Sequence, residues 1–132
     1  MNIKKLLLAT LAVGVVANIF DFVVQGKLLA DYYSSMSLFN KDMPIQWLVF
    51  GDFVAALVFV WVYDRVLASF GGGPKGGATY GLYAGILANF PTWIFLHLLF
   101  VGFPYGLAWV WTLVGVAWCV IAGAVAGAVY KK

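Results

Sequence analysis

Asp21 stands inside the apolar run Asn18-Ile19-Phe20-Asp21-Phe22-Val23-Val24-Gln25-Gly26, at the end of a stretch long enough to cross a membrane. Steps of three and four residues place Asn18, Asp21 and Gln25 on one stripe of a helix, while Phe20, Phe22, Val23 and Val24 cover its other faces. A carboxylate at membrane depth is costly and is normally kept there by a partner or a function. A second acid, Asp52, is the one charge in the apolar segment 47–63. At about 1.5 Å per helical residue, Asp52 lies one to two turns below the interface its helix enters from, and Asp21 approaches a similar level from the opposite side. If the two side chains converge, like-charge repulsion favours a shared proton or a cation between them. The structural alternative is a hydrogen bond from Asp21 to Asn18, Asn89 or a tryptophan N–H, with snorkelling toward the surface.

The remaining chemistry-bearing residues are isolated. His97 is the only histidine and Cys119 the only cysteine, whereas a metal site draws on several such ligands and thiol redox chemistry on paired cysteines. Neither a nucleophile–base set nor a phosphate-binding glycine loop can be assembled. The chain is therefore expected to be no enzyme, with no cofactor and no metal. What can be assembled is a candidate ligand or ion pocket from Asn18, Asp21, Gln25, Asp52, Asn89, Trp93, His97 and Trp109.

The elements that must position these residues follow from composition. Of 132 residues, 64% are hydrophobic and 10% charged, and mean hydropathy is +0.97, far from the quarter-charged makeup of soluble domains. The fold class expected is an all-α membrane protein, a single four-helix transmembrane domain with spans near 5–25, 45–64, 77–101 and 104–130, since about 20 residues cross the bilayer core. The first span could be taken for a secretory signal with a cleavage site after Ala17, but its apolar stretch runs on through Val24 and an uncleaved span is expected. Between the first two spans, Leu28, Leu29, Tyr32, Tyr33 and Met36 recur at helical spacing, which fits an outer interfacial helix near 27–37 or an irregular aromatic loop. Gly77, Gly81 and Gly85 form a stripe spaced by four, and Gly123 and Gly127 form another, a glycine-zipper pattern for close packing of the last two helices. A shift of 71 residues lays Leu11, Gly14, Ala17 and Asn18 on Leu82, Gly85, Ala88 and Asn89. That repeat reads either as a duplicated helical hairpin or as chance likeness between apolar helices.

Charge placement gives the expected orientation. Lys4, Lys5, Arg65, Lys75, Lys131 and Lys132 share one side and only Lys27 and Lys41 the other, so the positive-inside rule puts both termini in the cytoplasm. The basic residues form no patch, which speaks against a nucleic-acid partner despite the net charge of +3. Three motifs, Phe20-Asp21-Phe22-x-x-Gln25-Gly26-x-Leu28-Leu29-x-x-Tyr32, Tyr63-x-Arg65 and Gly77-x-x-Tyr80-Gly81-Leu82, make most of the chain resemble an uncharacterised family of small bacterial four-span integral membrane proteins. The resemblance implies a bacterial inner-membrane location and no particular substrate. Members of that family often carry His where this chain has Gln25, a departure that removes a titratable group. The lipid bilayer is the expected environment, with other membrane-protein subunits or further copies of the chain as partners. The function expected first is a non-catalytic structural or accessory subunit of a membrane complex; the alternative is a small transporter or hydrophobic-ligand binder that uses the two acids.

Overall fold

The computed structural model describes residues 2–130; Lys131 and Lys132, on which the orientation argument draws, lie outside them. Helix α1 spans Ile3–Val23 and runs directly into a π-helical turn, Val24–Leu28, so that one continuous rod covers Ile3–Leu28. A short α2 follows at Ala30–Ser34, then α3 at Ile45–Phe70, α4 at Pro74–Leu99 and α5 at Tyr105–Val129. No strand occurs among the described residues. Four of these helices are long and apolar enough to cross a membrane.

Helix ends differ from the expected spans for local reasons. α3 does not stop at Asp64-Arg65 but continues to Phe70, with Arg65 lying 5.1 Å over the Trp61 ring. The turn to α4 is only Gly71-Gly72-Gly73, because Pro74 takes the first helical position, where its missing N–H costs nothing. Gly71 and Gly73 adopt φ of 79° and 92°, a region that disfavours any side chain. In place of a long interfacial helix near 27–37, the five-residue α2 is flanked by the π-turn and by loop, since Leu29 leaves helical geometry at ψ 1°.

Neighbouring helices run antiparallel, so both described chain ends and the 71–73 turn share one end of the bundle, and α2 with the 100–104 turn occupies the other. The packed core belongs to the terminus-bearing end. Leu6, Ala9 and Val13 of α1 meet Ala56, Val60 and Tyr63 of α3, and Tyr80, Ala122, Ala126 and Tyr130 complete the cluster. Rings of Tyr63 and Tyr80 lie 5.2 Å apart, and Tyr80 Oη donates to the Phe59 carbonyl at 3.0 Å. α4 and α5 approach backbone to backbone. A Cβ on Gly77 would collide with the Gly123 carbonyl, and one on Gly81 with the Cys119 carbonyl. The pair is also tied by a 2.9 Å hydrogen bond from Gly73 N to Gly127 O. Gly14 of α1 is filled from across the interface by the Phe53 ring of α3.

Candidate functional site

At the opposite end the four long helices do not close. A cavity of about 510 Å³ is lined by Asp21 and Gln25 from the first rod, Asp52 and Ala55 from α3, Asn89 and Trp93 from α4, and Trp111, Val114, Gly115, Trp118 and Cys119 from α5. The Asp21 and Asp52 carboxyls both lie on its wall, close enough to interact with each other. No Lys, Arg or His lines it. Asp21 comes from α1 and Asp52 from α3, helices that pack antiparallel with the Phe53 ring of α3 lying against Gly14 of α1.

Neither asparagine partners Asp21. Asn18 Nδ2 donates back to the Gly14 carbonyl at 2.8 Å, and Asn89 Nδ2 does the same to Gly85 at 2.9 Å. Such i−4 bonds satisfy an amide within its own helix. Asn89 lies in a notch on α5, since a Cβ on Gly115 would overlap its Oδ1, and that oxygen accepts a 3.2 Å hydrogen bond from Trp93 Nε1.

Gln25 reaches the cavity through the π-turn, a widened coil that recurs at functional sites. Its Oε1 accepts a hydrogen bond from the Tyr33 hydroxyl, which in turn accepts one from Trp111 Nε1 at 2.8 Å. Burial pushes the Tyr33 hydroxyl above its ordinary pKa, against the smaller, opposite effect of the Trp111 bond, so it stays protonated and able to donate. Phe39 packs on Tyr33 with centroids 4.5 Å apart, and Phe39, Phe103 and Trp93 all lie within 6 Å of the Trp111 ring. The segment after α1 thus forms an aromatic clasp over the loop end of the cavity.

Of the residues expected from sequence, Asp21, Gln25, Asp52, Asn89 and Trp93 line the cavity; Asn18, His97 and Trp109 do not. Asn18 is one turn too deep and bonded to its own helix. His97 is engaged at the 100–104 turn, its Nδ1 2.9 Å from the Phe103 carbonyl and its ring 5.1 Å from that of Tyr105. Trp109 is 39% exposed and packs outward on Phe90 and Tyr105. Trp111 occupies the place expected of Trp109, and it was reachable from sequence. Steps of four back from Gly127 and Gly123 pass through Cys119 and Gly115 to Trp111, whereas Trp109 falls two residues off that stripe. Among the described residues no cluster of three or more His, Cys, Asp or Glu is placed to hold a metal ion. The chain matches no protein-family model, no curated protein and no solved structure.

Proposed function

We propose that the chain is a multi-pass membrane protein that binds a small organic cation in the cavity, as a carrier or a ligand-binding component. The observation that carries this reading is the Asp21–Asp52 pair on the wall of a 510 Å³ cavity without a protein cation beside it. Two facing carboxyls need a proton or a positive charge between them, and the protein supplies neither Lys nor Arg. Three indoles share the same walls, Trp93, Trp111 and Trp118, and aromatic faces with acids are the chemistry that recognises organic cations.

Purified protein in mild detergent is expected to bind tetraphenylphosphonium, and Asp21→Asn or Asp52→Asn to weaken binding about tenfold or more, equivalent to about 1.4 kcal/mol or above. Equilibrium dialysis measures both. No binding, or equal binding by the three proteins, overturns the reading. Mass spectrometry of the same preparation addresses the accessory-subunit alternative, which a stoichiometric co-purifying membrane subunit would favour.

The proposal includes both termini on the cytoplasmic side of a bacterial inner membrane, on the six-to-two division of Lys and Arg. It also includes descent from a duplicated hairpin. In support, Asn18 bonds Gly14 and Asn89 bonds Gly85 in the same way, and each glycine receives the next long helix, Phe53 of α3 at Gly14 and Val116 with Cys119 of α5 at Gly85.

A further inference from the structure

The cavity is closed unequally. At the loop end, the Tyr33 clasp and the rings of Phe39 and Phe103 gather over Trp111. Toward the termini, Phe59 of α3 fills the seam with α4 and α5, its centroid 4.8 Å from Tyr80 and 6.0 Å from Trp118. The same face of α3, one and two turns toward the loop end, carries Ala55 and Gly51 in place of an aromatic. On α4, Ala84 and Ala88 follow Tyr80 one and two turns toward the loop end, so both helices carry small residues on this side of the aromatic contact. Both Ala55 and Ala88 are exposed, and a Cβ on Gly51 would meet nothing within 4 Å. Ala55 also lines the cavity. The seam between these exposed small residues thus runs up to the cavity wall at Ala55.

We propose that the cavity is loaded sideways through a window at this α3–α4 seam, and that its ligand is a membrane-partitioned organic cation, a protonated amine or an onium ion with apolar substituents, rather than a water-borne one. The inference rests on the cation-binding reading of the cavity and deepens it. An amphiphile of this kind concentrates at headgroup depth and places its charge where the window opens, and it avoids crossing the aromatic clasp. A hydrated cation has no such advantage, because the apolar rim of Gly51, Ala55 and Ala88 offers nothing to replace its water.

The test measures the route without requiring a ligand. Full-length protein carrying Cys119→Ala and Val114→Cys, spin-labelled at position 114 on the cavity wall, is reconstituted in lipid vesicles and probed with oxygen, which partitions into lipid, and with a nickel chelate, which stays in water. Oxygen collisions are expected to exceed nickel collisions several-fold. Ala88→Trp should lower the oxygen collisions several-fold, whereas Leu87→Trp, on a side chain 77% exposed, should leave them unchanged. Nickel access equal to that of oxygen, or no effect of Ala88→Trp in a variant that melts like the parent, overturns the side window even if tetraphenylphosphonium binds. The expected collision pattern without tetraphenylphosphonium binding keeps the window and overturns the cation as its cargo, so the two failures are separable. Slower tetraphenylphosphonium uptake into the Ala88→Trp cavity at unchanged final occupancy supports route and cargo together.

Discussion

Asparagine at position 21 keeps a hydrogen-bond donor and an acceptor while removing charge, and leucine removes both. Because Asp21 faces Asp52 rather than an amide, Asp21→Asn can donate to the Asp52 carboxyl and should melt in detergent close to the parent. Asp21→Leu leaves Asp52 against an alkyl chain and should cost on the order of 1–3 kcal/mol, the penalty for a stranded polar group. Equal melting of the two variants would mean that the pair contributes nothing to folding. Tyr33 makes a second residue-scale case, since one hydroxyl joins Gln25 to Trp111. Tyr33→Phe keeps the ring stacked on Phe39 but strands the Trp111 N–H, at about 1 kcal/mol for this half-buried site. A melting temperature unchanged from the parent would show that the clasp is held by ring packing alone. At this scale the acids were legible because a charge in an apolar run stands out, while Tyr33 was not, because its partner Trp111 is 78 residues away and nothing in local spacing couples them.

Helix pairing tests a different kind of statement, one about backbones. On α4, a side chain at Gly81 would have to displace the Cys119 carbonyl of α5, and backbone cannot rotate aside. Gly81→Leu should therefore cost about 1–3 kcal/mol or more, as overpacking does, while Val58→Leu, 53% exposed on α3, should be neutral. Gly51→Ala is the sharper control. It changes glycine to alanine inside a helix where a Cβ finds open space, so it should be neutral or stabilising by up to about 1 kcal/mol. Thermal melts of the three variants in one detergent suffice, and a Gly81→Leu protein as stable as Gly51→Ala would remove the close α4–α5 contact. Glycines at steps of four made that contact readable in advance, because the spacing itself is the physical requirement. The same composition argument could not place the π-turn, since Val24–Leu28 has ordinary helix formers and glycine and no residue type there marks an extra residue in the coil. Nor could it end α3, whose span was expected to stop near residue 64; Arg65 instead stacks on Trp61 and the helix extends to the glycine turn.

At the scale of the whole molecule, the two ends of the bundle have different designs. The terminus-bearing end has the buried aromatic core and the glycine contacts, and the loop end has the cavity, the acids and the clasp. A protein divided in this way has a packed base and an open half, and which half faces the cell exterior decides from which side the cavity is reached. Charge provides the argument for orientation. Lys4, Lys5, Arg65 and Lys75 lie at the base, together with Lys131 and Lys132 in the sequence beyond it, against Lys27 and Lys41 at the loop end. Positive residues are retained on the cytoplasmic side during insertion, so the base should face inward and the cavity outward. In a Cys119→Ala background, Ser35→Cys reports on the loop end and Gly72→Cys on the base. Both positions are exposed, and Gly72 lacks the positive φ of the glycines on either side, so neither substitution strains the backbone. A membrane-impermeant maleimide added to intact bacterial cells should label Ser35→Cys and leave Gly72→Cys unmodified until the membrane is opened. The reverse pattern would place the cavity toward the cytoplasm, and the side window would then open onto the inner leaflet; labelling at both positions in intact cells would mean that the chain inserts in two orientations and that six basic residues against two do not suffice to fix one.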